Sequence, residues 1–152
     1  MARPISLMTN QISAVRTKSG SPVAADSGTL TDANFPLLAS STTGGTIDCR
    51  ALATIWIGVE FTGGTTPTID LDPLIRDEEA ADGARWKRLL TASGPAVYQP
   101  TLDGVGFVEI RVDGGQMYPR IKAVTGNPTQ VVLLARPGTL LNTGKGLTSG
   151  SV

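Results

Sequence analysis

Within residues 51–76 the side chains alternate between two faces, strictly so over residues 54–61, and the rest of the chain is read around this stretch. Ile55, Ile57, Val59 and Phe61 fall on one face, and Thr54, Trp56, Gly58 and Glu60 on the other. A period of two with β-branched and aromatic residues marks a half-buried strand. Gly63 and Gly64 break it, and Pro67 begins a second extended run. In that run Ile69, Leu71 and Ile75 share a face opposite Asp70 and Asp72. The pair reads as two long antiparallel strands joined by a Gly/Thr-rich loop.

Further strands succeed it at short intervals. Residues 46–50 form a short one ahead of the ribbon. Residues 77–83 read as an acidic loop or one helical turn. Residues 85–90 place Trp86 inward and Arg85 and Lys87 outward. Residues 96–102 contain Pro100, which favours an edge or a bend. Residues 106–112 alternate Val108, Ile110 and Val112 inward with Phe107, Glu109 and Arg111 outward. Asp113-Gly114-Gly115 suits a tight hairpin turn into a partner strand at 117–124, and Gly126-Asn127-Pro128 suits the next. Residues 129–136 include VVLLA, apolar on both faces, as for a central strand or one covered by an arm. About eight antiparallel strands from 46 to 136 without a convincing helix predict an all-β fold, an antiparallel β-sandwich of jelly-roll type. An immunoglobulin-like sandwich lacks its cysteine pair.

The flanks differ in pattern. Residues 1–45 mix small, polar and isolated apolar residues, and residues 137–152 are again rich in Gly, Ser and Thr. Both read as extended arms around a domain spanning 46–136. Ile5, Leu7, Ile12, Val15, Phe35 and Leu37 in the first arm, and Leu140 and Leu141 in the second, read as contact anchors for a neighbouring subunit. On this reading, deletion of residues 1–30 leaves a folded domain that no longer binds its assembly.

Composition narrows the chemistry. Of 152 residues, 18 are Gly and 10 Pro, and only 17% are charged. Such a chain suits a turn-rich β protein large enough to bury a core. Basic and acidic residues balance at 13 each. That argues against nucleic-acid binding, which needs a basic excess, and leaves little repulsion against self-association. Histidine is absent, so a Ser-His-Asp triad cannot form. Cys49 is the single cysteine, so no intrachain disulfide is expected. No apolar run approaches a membrane span, and the N-terminus lacks a signal-peptide core. The chain reads as made in a cytoplasm, without cofactor, metal or catalytic set.

The densest charge feature is Asp70, Asp72, Asp77, Glu78, Glu79 and Asp82, followed by Arg85, Lys87 and Arg88. The acids do not match a calcium loop. They read as a solvated face whose nearest partners are the basic trio. Arg85 and Lys87 are the candidates for a charged subunit contact. Trp56 stands on the polar face of its strand, where a contact role is favoured over sugar stacking.

A small sandwich with TIWIGVEFTGGTTPTIDLDPLI followed by RWKRLL, flanked by polar arms, resembles β-sandwich domains among tailed-bacteriophage head and tail proteins. The resemblance covers residues 46–136 and assigns no functional residue. It implies a virion decoration (cement) protein, a homotrimer that binds the major capsid protein. A tail, neck or fibre-attachment role is the second reading, and a carbohydrate-binding module the third.

Overall fold

The computed structural model describes residues 5–6, 11–28, 46–77, 79–81, 84–89 and 97–141. These form ten strands and no helix. They are β1 (Ile5–Ser6), β2 (Ser13–Ser19), β3 (Ile47–Asp48), β4 (Thr54–Thr62), β5 (Thr68–Arg76), β6 (Trp86–Arg88), β7 (Thr101–Leu102), β8 (Val108–Arg111), β9 (Gln116–Thr125) and β10 (Gln130–Pro137). They make an antiparallel β-sandwich, with one parallel pairing between β1 and β3. One sheet runs β2-β10-β4-β8; the other runs β1-β3-β9-β5-β6, with β7 beside β6 on the same edge of β5.

The pairing is nested. β5 pairs with β6 and β7, β4 with β8, β3 with β9, and β2 with β10. The ribbon so formed is rolled, so that β10 also meets β4 and β9 also meets β5. Three expected hairpins are therefore not hairpins. β4 and β5 lie in opposite sheets, as do β8 and β9, and β9 and β10. The glycine turns between them carry the chain across the sandwich. Two of these crossings dock on each other. The amide of Thr65 donates to the carbonyl of Gly126 at 2.8 Å. A Cβ on Gly126, whose φ is +79°, would lie 2.5 Å from the Thr65 carbonyl oxygen.

The inner faces carry the core. Ile55, Ile57, Val59, Ile69, Leu71, Ile110, Ile121, Val131 and Leu133 all contribute to it. Each such side chain contributes about 1.5–3 kcal/mol when fully buried. β5 is buried on its other face too. There Leu74 packs with Trp86 and Tyr118, whose rings meet edge to face with centroids 6.2 Å apart. On the same face Asp72 is 0% exposed and accepts from Arg88 at 3.1 Å and Arg120 at 3.4 Å.

Residues 13–28, given to the first arm by the sequence pattern, belong to the sandwich. β2 is an edge strand, and Val15 and Val23 are core residues. Arg16 and Lys18 pair with Leu133 and Val131, whose side chains face inward, so both cations point toward the core. Asp26 receives them. It accepts from Arg16 through both oxygens and from Lys18 at 3.0 Å, and the Ile121 amide donates to it at 2.7 Å. The Asp26 amide in turn donates to the Ile121 carbonyl, and Val23 donates to Pro128. The segment after β2 thus lies along the edge of β9 and closes one side of the sandwich.

Burial alone pushes the Asp26 carboxyl up. The Arg16 hydrogen bonds and charge, with Ile121 and Lys18, outweigh it and hold the carboxyl below its ordinary value. A depressed carboxyl stabilises the fold above its unfolded value, near 3.9, and the contribution is lost as pH falls through the lower folded value. Asp26→Ala leaves Arg16 buried without this carboxylate and is expected to cost about 3–5 kcal/mol in urea unfolding. The gap between Asp26→Asn and the parent protein should shrink as pH falls below about 4. Deleting residues 1–11 should keep a cooperative unfolding transition; deleting residues 1–28 removes β2 and the Asp26 clasp, and should abolish it in a thermal melt monitored by circular dichroism.

Candidate contact surfaces

The outward face of the β2-β10-β4-β8 sheet is built in cross-strand rows. Arg136, Trp56 and Glu109 stand side by side on β10, β4 and β8. The Arg136 guanidinium lies 4.9 Å from the centre of the Trp56 ring, a cation–π contact. Glu109 accepts from the Thr54 hydroxyl at 2.9 Å. The next row is apolar, with Ala14, Leu134 and Gly58 in register. The Phe107 ring lies over Gly58, where an added Cβ would sit 2.8 Å from it. The glycine makes room for the ring, which covers otherwise bare backbone. Val132 and Glu60 continue the face. Trp56 therefore sits where its alternation predicted, on a half-buried outward face with aromatic, aliphatic and charged neighbours.

The acidic run is dispersed and is not all a solvated face. Asp72 is buried and held by Arg88, one of the basic trio, and by Arg120, and Asp70 accepts from the Thr101 hydroxyl at 2.6 Å. Arg85 donates to the Ala80 carbonyl at 2.8 Å, and Lys87 is exposed. Glu78 and Asp82 lie outside the described residues.

The other anchors divide by environment. Val15 is in the core and offers no surface. Ile12 and Leu140 are exposed by 54% and 71%. Leu141 is half-buried, and its amide donates to the Ala51 carbonyl. The backbone at Ile5 pairs with Ile47. Leu7, Phe35 and Leu37 lie outside the described residues. The sequence pattern missed two features. One is Val105, 88% exposed in the loop between β7 and β8. The other is an open groove of about 430 Å³ lined by Glu60, Phe61, Pro67, Asp103 and Gly104. A valine flanked by glycines is the legible sign of the first. The groove depends on the meeting of two distant turns and has no local signal.

Cys49 is the one candidate nucleophile with a thiol. It is fully buried, and burial, with a smaller contribution from the Asp48 charge, pushes it up to about 12. A thiol so held is unreactive near neutrality. Compared with protein-family models, with curated proteins and with solved structures, the chain matches none.

A thiol reagent such as 5,5′-dithiobis(2-nitrobenzoate) is expected to leave Cys49 unmodified in the native protein. In unfolding denaturant it should label the cysteine fully. Rapid native labelling would place Cys49 outside the core.

Proposed function

We propose that the protein is a non-enzymatic structural subunit of a phage virion, of the decoration type that binds and stabilises an assembled capsid. The observation that carries this reading is the nested strand order, β2-β10-β4-β8 against β3-β9-β5 with β6 and β7. We take this connectivity as a jelly roll, an architecture that recurs in viral capsid domains. The resemblance of the β4–β6 text to phage sandwich domains agrees with it. So does the chemistry of the surface: the outward β-sheet face offers Trp56, Phe107, Leu134 and Arg136, and aromatics and Arg are enriched at protein interfaces. A subunit that binds the assembled shell, but not free capsid protein, stabilises the shell by mass action.

A tail, neck or fibre-attachment position uses the same surfaces and differs in copy number per particle. Jelly rolls also carry lectins, and the groove at Phe61, with Glu60 and Asp103 on its walls, favours a glycan-binding module as the second reading.

The test is co-sedimentation of the purified protein with assembled heads of its phage. Saturable binding, weakened at least tenfold by Trp56→Ala in a variant that still melts cooperatively, is expected. Absence of binding to heads, together with glycan binding by the isolated protein, overturns the decoration role in favour of the second reading.

A further inference from the structure

The edges of the two sheets are not treated alike. Exposed strand edges recruit other strands, and proteins guard them with bulges, inward charges or covering segments. β2 carries a register shift against β10, at Leu133/Leu134, and the inward cations Arg16 and Lys18. The edge of β9 is covered by β3 and by the segment containing Val23 and Asp26, and that of β5 by β6 and β7. β8 has no bulge, inward charge or covering segment among the described residues, and its two outward charges are of opposite sign. It ends its sheet, its register against β4 is unbroken, and its inward residues are Val108 and Ile110.

The backbone phase of β8 is fixed by its pairing. The Val112 amide donates to the Ala53 carbonyl at 2.8 Å, so Val112, Ile110 and Val108 turn their peptide groups toward β4. Glu109 and Arg111 therefore turn theirs toward the open edge. Their side chains share the outward face with Trp56. Glu109 uses one oxygen on Thr54, and the Arg111 side chain is 81% exposed, with its Nε on Asp113.

We propose that β8 is where two copies of the chain join, pairing antiparallel with its own counterpart about a two-fold axis through Ile110. In that register Glu109 lies opposite the partner's Arg111, and Arg111 opposite the partner's Glu109. Each such pair exchanges both backbone hydrogen bonds, because these are the residues whose peptide groups face the edge. Opposite charges directly across strands attract, whereas like charges there repel. Moving the axis to Glu109 or to Arg111 sets like charges face to face, so the sequence of β8 selects one register. The row Arg136, Trp56, Glu109 then continues into the partner's Arg111, and the β2-β10-β4-β8 sheets of the two copies become one. The contact is isologous and closes on itself. The particle is a dimer in place of the trimer implied by the phage resemblance. The inference stands on the edge geometry whether or not the protein decorates a shell.

The experiment is analytical ultracentrifugation of the full chain with charge variants. Glu109 and Arg111 are exposed, and thermal melts verify that each variant stays folded. The parent protein is expected to sediment at twice the chain mass of 15.8 kDa. Glu109→Arg and Arg111→Glu should each weaken the dimer about tenfold or more, because each sets like charges opposite one another. The double variant, with the charges exchanged, should recover it. Mixing the two single variants should restore a mixed dimer. A parent that is monomeric or trimeric, or single variants that dimerise like the parent, overturns the proposal.

Discussion

The pairing of β2 with β10 is the contact on which the sandwich depends. It joins the first long strand to the last, and it completes the sheet that backs the core. Hydrogen bonding supplies the ladder, but the strand carries two cations toward the interior. Burying Arg16 and Lys18 is unfavourable unless they are paired and hydrogen-bonded. Asp26 pairs with both, accepts from the Ile121 amide in the opposite sheet, and donates its own amide to the Ile121 carbonyl. One carboxylate thereby joins three elements: the edge strand, the segment after it, and β9. The same arrangement keeps β2 from recruiting a foreign strand, since its inward face is charged.

Closure by β2 leaves the faces of the sandwich with different tasks. The inner faces are apolar apart from Arg16 and Lys18 on β2. The outer face of β5 and β9 is also buried, with Leu74, Trp86 and Tyr118 beside the Asp72–Arg88–Arg120 cluster. The outer face of β4, β10 and β8 is only half-buried and carries Trp56, Phe107 and Leu134. Among the described residues, the edge beside that face has no bulge, inward charge or covering segment. A contact surface and an open edge on the same sheet are what a subunit of a larger assembly requires, and they support the proposed structural role.

The sequence discloses faces far better than partners. Alternation at Ile55, Ile57 and Val59, and at Ile69 and Leu71, marks the strands and their inward sides, because burial leaves a period of two. It carries no information on which strand lies alongside. A glycine turn that crosses between sheets has the same composition as one that closes a hairpin, so residues 63–64, 113–115 and 126–128 all read as hairpins. β2 is hidden for a different reason. Beyond Val15 its inward positions are occupied by Arg16 and Lys18, so SAVRTKS shows no apolar alternation, and the residue that neutralises them lies outside the strand. Trp56 is legible as an outward aromatic, but its cation–π partner Arg136 depends on the β10 register and is not.

The central claim is that residues 13–28 and the strands β3 to β10 form one cooperative sandwich closed by β2 and β10. Residue-resolved hydrogen exchange of the native full-length protein tests it most directly. The β2 amides bonded to β10 should exchange as slowly as those of β4 and β10, through global unfolding alone. Fast exchange across residues 13–19, with β4 and β10 fully protected, would show β2 to be a detachable arm and would contradict the account.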